Sequence, residues 1–193
     1  IRGTASITHC VNNANIVENS TNTCTGGIAG KVDFTEGTYT HMINYSNIAG
    51  MEQTGGIFGY IGLETSTTHN LNIQYTVNAG TVSGSRNVGG RVGRLYDDMN
   101  DVEHKISYCA NYGKVSNSGN GNLGGILGQG DSKKTSIMNS ANHGEIAGGS
   151  NGASQVGGIA GRMGKDPKGV TIGNNMELAY CCNRGNISSD NVD

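Results

Sequence analysis

"TGGIFGY", Thr54 to Tyr60, sets two adjacent glycines and a third one three positions on around the apolar pair Ile57 and Phe58, in a chain of 193 residues with 33 glycines and one proline. The phrase returns as TGGIAGKV (Thr25 to Val32), VGGRVGRL (Val88 to Leu95), LGGILGQG (Leu123 to Gly130) and VGGIAGRM (Val156 to Met163). The first glycines, Gly26, Gly55, Gly89, Gly124 and Gly157, lie 29, 34, 35 and 33 residues apart. Such a period marks a repeat architecture, not a single phosphate loop.

A second phrase alternates with the first: ITHCVNNANI (Ile7 to Ile16), MINYSNIAGM (Met42 to Met51), IQYTVNAGTV (Ile73 to Val82), ISYCANYGKV (Ile106 to Val115), IMNSANHGEI (Ile137 to Ile146) and LAYCCNRGNI (Leu178 to Ile187). It aligns on Asn12, Asn47, Asn78, Asn111, Asn142 and Asn183, with an apolar residue five before and Ile, Val or Met four after. Both phrases are short, β-branched and bounded by Gly, Asn, Ser and Thr, which reads as strand. Glycine at this density disfavours helix, at about 0.5–1 kcal/mol each in a helix interior.

A unit this small cannot bury an apolar face alone, but stacked copies can. We therefore expect an all-β fold, a parallel β-solenoid of about five to six coils with roughly 33 residues per repeat, forming a single domain over residues 1–193. Equivalent residues should then stack about 4.8 Å apart. Expected inward columns are Ile28, Ile57, Ile126, Ile159; Val32, Ile61, Leu95, Met163; Ile7, Met42, Ile73, Ile106, Ile137, Leu178; and Ile16, Met51, Val82, Val115, Ile146, Ile187. The Asn column is expected to form an amide ladder. Alternation fails at Ala29, Phe58, Val92, Leu127 and Ala160, which are apolar beside an apolar column, so either a glycine bulge switches faces or both faces are covered. Arg91 stands where the first column has Ile and fits neither reading.

The tetrads Gly27-Ile28-Ala29-Gly30, Gly56-Ile57-Phe58-Gly59, Gly125-Ile126-Leu127-Gly128 and Gly158-Ile159-Ala160-Gly161 resemble the GLUG motif; Gly90-Arg91-Val92-Gly93 departs at its second position. That resemblance implies a repeat region of large bacterial surface or secreted proteins, among them adhesin-like proteins and immunoglobulin A metalloproteases, where such repeats lie outside the zinc part. It implies an extracellular or cell-surface location and no reaction.

Only 15% of residues are charged and the formal net charge is −2, which argues against nucleic acid or acidic membranes as partners. No apolar run is long enough to insert into a membrane. Residue 1 is Ile, and the chain reads as a processed product or a piece of something longer. GNGNLG (Gly119 to Gly124) matches a dinucleotide fingerprint literally, but GGILGQG follows, a poor helix former. No two of the five histidines lie within five residues of each other, and no G-x-S-x-G elbow occurs. No catalytic residue, cofactor or catalytic metal is therefore expected. In the acidic stretch YDDMNDVEHK, Asp97, Asp98, Asp101 and Glu103 are weak Ca²⁺ candidates beside the reading as a solvated loop. Cys10, Cys109 and Cys181 share a column with Tyr45, Thr76 and Ser140, two or more coils apart and too far to pair; only Cys10 with Cys24 stays open, and free thiols are favoured.

One outward column, Lys31, Tyr60, Arg94, Gln129 and Arg162, follows the third glycine of each copy. It reads as a solvating stripe or as an interaction face, where Arg and Tyr are favoured anchors. We expect a non-catalytic structural or adhesive module acting as stiff spacer or interaction surface toward a host or cell-surface protein or glycan, beside neighbouring domains of its own chain. The alternative is a glycan-binding or ancillary substrate-binding module of a secreted protease or glycosidase, against which it counts that the tyrosines fall in no single column. Ice binding and a catalytic β-helix are weaker readings.

Overall fold

In one circuit the chain runs through five short strands, Asn72–Gln74, Val77–Asn78, Val82–Gly84, Asn87–Gly89 and Val92–Asp97, and then repeats the circuit one level up. We call these five positions faces I to V. The computed structural model describes residues 1–3, 5–34, 37–63, 70–97, 103–149, 155–164 and 175–189. Among them, faces I, II, III and V each stack six strands and face IV five, in coil order. Neighbouring strands are parallel throughout, for example Ile73 beside Ile106 and Val82 beside Val115. This is an all-β parallel β-solenoid. Faces I, III, IV and V turn apolar side chains inward, while the inward residue of face II is an asparagine.

The register corrects the alignment in one coil. Ile73 is level with Tyr39, not Met42, and Val82 with Ile48, not Met51. The ladder position in that coil is Asn44, not Asn47. Two asparagines three apart in MINYSN both tolerate an apolar residue four positions later, Ile48 or Met51, so the local pattern does not separate them. Side-chain geometry does: Asn44 points inward and is fully buried, whereas Asn47 sits outside and accepts hydrogen bonds from the Thr81 N–H at 3.1 Å and hydroxyl at 2.8 Å. The shift also replaces Tyr45 by Met42 in the cysteine column, since Met42 is the residue two before Asn44.

Asn12, Asn44, Asn78, Asn111, Asn142 and Asn183 form a continuous ladder. Each Nδ2 donates to Oδ1 of the Asn one coil on, at 2.7 Å in all five steps. The second Nδ2 proton goes to the carbonyl two residues further along its own chain, from Ala14 through Gly185, at 2.7–2.9 Å. Both donors of the first five side chains are thus used, which is what permits a polar column inside a core; Asn183, at the end, donates only to Gly185.

The ladder explains the second glycine of each pair. A Cβ on Gly27, Gly56, Gly90, Gly125 or Gly158 would stand 2.4–2.9 Å from the amide carbon of Asn44, Asn78, Asn111, Asn142 or Asn183. The two phrases of the repeat meet here, and only hydrogen fits. Around this contact the interior falls into two apolar clusters. The larger draws on faces I and V and the corner residues Met42 and Cys109, with Ile73, Ile106, Ile61 and Leu95; the smaller lies between faces III and IV, with Val82, Val115, Val88 and Leu123.

The alternation breaks after the glycine pair because the chain turns there from face IV to face V. Ile57 and Phe58 N–H both converge on the Arg91 carbonyl, at 3.0 and 2.9 Å, and Arg91 and Val92 N–H both converge on that of Ile126. The register is one for one across the turn, Gly55 with Gly89 and Phe58 with Val92, so no residue is inserted; the turn aims consecutive side chains inward, and Ile57, Phe58, Ile126 and Leu127 are all buried.

Arg91 occupies the inward column and is fully buried. Its Nη2 donates to the Ala110 carbonyl at 2.6 Å, while Nε and Nη1 have no partner among the described residues. Burial pushes its pKa down to about 10, against weak upward pulls from Cys109 and Tyr112. At neutral pH the guanidinium is still charged, and burying it in that form costs stability. As pH rises above about 10 the unfolded chain holds the proton more tightly than the folded one, and stability increases.

Two stability measurements follow from this core. Asn78→Ala leaves a donor on Asn44 and an acceptor on Asn111 unmatched, and should lower unfolding free energy by about 2–5 kcal/mol in urea titration; Asn183→Ala, at the end of the ladder, should cost markedly less. Arg91→Ile, which continues the column, should raise stability by about 1–4 kcal/mol; a loss of stability would show that the guanidinium is a structural anchor.

Candidate functional site

The third glycine of each phrase decides the outer surface. A Cβ on Gly93 would lie 2.5 Å from the Thr54 nitrogen and 2.6 Å from the Gly59 oxygen. Faces IV and V thus approach at backbone distance, and their outward side chains line a common groove of about 470 Å³. From face V come Arg94, Gln129 and Arg162, and from face IV Gln53, Asn87, Asn122 and Gln155; Glu52, Arg86, Asn120 and Gly121 complete it from the intervening turns.

The column read from sequence is in register: Lys31, Tyr60, Arg94, Gln129 and Arg162 are level across five successive strands. Its partner column, two residues before each glycine pair, is an amide row that sequence reasoning missed, although Gln53, Asn87, Asn122 and Gln155 fill four of its five positions, with Cys24 in the first. Fixed hydrogen bonds hold the middle of the groove. Arg94 donates through Nε and Nη2 to Asp131 Oδ2, at 3.0 and 2.7 Å, and Gln129 Nε2 donates to the same oxygen at 2.6 Å. Asn122 Nδ2 donates to Gln129 Oε1 at 2.8 Å and to Asn87 Oδ1 at 3.1 Å. Arg86 meets Glu52 at 3.4 Å.

At the lower end Lys31 Nζ lies 5.3 Å from the Tyr60 ring centre. Burial pushes the Tyr60 phenol up to about 12, with Arg94 and Lys31 pulling the other way, so it stays neutral. Burial also raises the Cys24 thiol, which donates to Gln53 Oε1 at 3.4 Å. All five cysteines are free.

The Ca²⁺ candidates are placed in part. Asp98 and Asp101 lie outside the described residues. Asp97 is buried, and its Oδ2 is 2.7 Å from His104 Nε2. Leu71 N–H donates to His104 Nδ1 at 3.2 Å, which puts the ring proton on Nε2, donating to Asp97. Both ring nitrogens are occupied and the imidazole is fully buried. Glu103 has other partners: Lys105 at 3.1 Å and the Ser136 hydroxyl at 3.1 Å. No group of three metal-ligating side chains occurs among the described residues.

Three of the eight tyrosines, Tyr75, Tyr108 and Tyr180, do share a column with two histidines, while the other five lie elsewhere. His9, His41, Tyr75, Tyr108, Asn139 and Tyr180, each three before its ladder Asn, all adopt φ between 48° and 55° at the corner from face I to face II. His9 and His41 stack at 4.8 Å, and His41 on Tyr75 and Tyr75 on Tyr108 at 5.1 Å, with ring planes within 24°. His41 and Tyr75 therefore have both faces covered and present only edges to solvent. Such a column braces a left-handed corner that costs about 1–2 kcal/mol per non-glycine residue better than it serves as a platform for a ligand's flat face.

No family model, curated protein or solved structure matches the chain. GNGNLG does not open a helix, since Gly124 lies on a face IV strand, Leu123–Gly124. What the register defines is a class, a parallel β-solenoid repeat protein, with a polar groove on one side and an aromatic corner on another.

The buried pair gives a double-mutant test. Asp97→Leu or His104→Leu alone should destabilise by about 3–5 kcal/mol, because each strands a buried polar partner. The double variant, matching Leu63 and Leu71 one coil below, should recover most of that loss in thermal or urea unfolding.

Proposed function

We propose that this solenoid is a non-catalytic structural and adhesive module, a stiff spacer that carries an interaction surface on an exported bacterial protein. The observation that carries this reading is the groove itself, where two registered outward columns of polar side chains converge over successive coils. The GLUG-like tetrads support a bacterial surface setting. The unbroken amide ladder supports stiffness, since bending must strain hydrogen bonds in every coil. The Asp97–His104 pair, the most enzyme-like constellation on the described residues, is occupied on both ring nitrogens, which favours scaffold over catalyst. Contacts repeated coil after coil are individually modest and gain by multiplicity.

A second reading, a glycan-binding or ancillary module of a secreted protease or glycosidase, is favoured by the amide-rich lining of the same groove. Partners under either reading are host or cell-surface proteins or glycans.

Beads coated with the purified chain should adhere to cell surfaces, and an array of glycans and extracellular proteins should show saturable binding. Arg162→Glu with Gln155→Ala should cut that binding at least fivefold at unchanged melting temperature. Binding that is indifferent to both substitutions would move the interaction surface elsewhere.

A further inference from the structure

We infer that the groove between faces IV and V takes an acidic carbohydrate, with its anionic group on Arg162 and its hydroxyls on the amide row. This rests on the reading of the groove as the interaction surface and adds the chemical class of the ligand.

Lining chemistry points first to sugar. Every lining residue is polar, charged or Gly121, so the groove holds no apolar contact for a peptide side chain or a hydrophobic small molecule. Its volume, about 470 Å³, is far larger than one inorganic ion and falls in the range of small-ligand sites. Carboxamides carry a donor and an acceptor in one plane, and so match hydroxyls, which do both. Gln53 and Gln155 present such groups at the two ends of the row, while Asn87 and Asn122 between them are buried and hold the row in place through their own hydrogen bonds. The coil rise, about 4.8 Å, is close to the advance of one unit in an extended polysaccharide.

Charge points to an acid. Glu52 faces Arg86 and Asp131 faces Arg94, which leaves those four groups balanced. Arg162 has no carboxylate within ion-pair distance among the described residues, and stands level with Gln129 at the end of the groove. A planar guanidinium beside a row of amides is suited to a carboxylate held in a fork, with sulfate as the other anionic group of the same glycan class.

The lower groove is also braced before any ligand arrives. The chain of bonds from Asp131 through Gln129 and Asn122 to Asn87 fixes four side chains, so binding need not order them.

The test is calorimetric titration of the intact chain at low salt with hexagalacturonate, a heparin-derived hexasaccharide and neutral maltohexaose. Galacturonate or heparin oligosaccharide should bind at least tenfold more tightly than maltohexaose, and weaken with salt; the better of the two identifies carboxylate or sulfate. Arg162→Gln should lose at least fivefold toward the acidic ligand and leave the melting temperature unchanged. Equal affinity for maltohexaose, or binding unaltered by Arg162→Gln, would overturn the inference. Should neutral glycans or proteins on the array bind through Gln155 while acidic ones do not, the ligand class is wrong and the interaction surface stands. Should nothing bind in either assay, both fail.

Discussion

One contact governs this fold: the amide of a ladder asparagine against the second glycine of the preceding coil's glycine pair. The asparagine needs both of its Nδ2 protons satisfied inside a core, and that requires the next coil to sit directly above it. The glycine must have no side chain, because a Cβ on Gly56 would fall 2.5 Å from Asn78 Cγ. Each condition is local, yet together they set the register of the whole stack. Faces II, IV and V are held at one place, and the apolar columns of the two interior clusters close around it.

The outer surfaces are consequences of that core. Close approach of faces IV and V at the third glycine lays an amide column beside a column of Lys, Tyr, Arg and Gln, and a groove results. At the other corner the chain must turn left-handed to enter face II; His or Tyr stands there at five of six levels, and the first four rings stack in sequence. The two surfaces differ in kind. In the groove, side chains present hydrogen-bonding groups outward; at the corner, rings face each other and the exposed part is edge.

The class of fold was legible in the sequence because a parallel solenoid converts recurrence into contact. Ile28, Ile57, Ile126 and Ile159, or Val82, Val115, Ile146 and Ile187, are neighbours in space since they are equivalent in the repeat. Legibility ended where one coil offered two equivalent-looking answers. Asn44 and Asn47 differ in which way the side chain points, and a three-residue shift flips that without disturbing the pattern of letters. The aromatic corner was obscured by chemistry, since His9, His41 and Asn139 stand where tyrosine stands elsewhere; what they share is tolerance of positive φ and, for the rings, a flat face. The amide row was visible in principle at two residues before each glycine pair, but small polar residues beside glycines resemble loop, and only the groove gives them a common direction. Arg91 had no precedent in its column, and its contact with the Ala110 carbonyl crosses from face V to face II, which no local pattern encodes.

The ladder can be observed atom by atom. Side-chain amide proton exchange, followed by NMR on ¹⁵N-labelled protein, should separate the inward asparagines from the outward one. Slow exchange of the δ2 protons of Asn44, Asn78, Asn111 and Asn142, beside fast exchange at Asn47, is the expected result. Uniformly fast exchange at all five, in a chain that is otherwise folded, would contradict the buried ladder and with it the stacking of the coils.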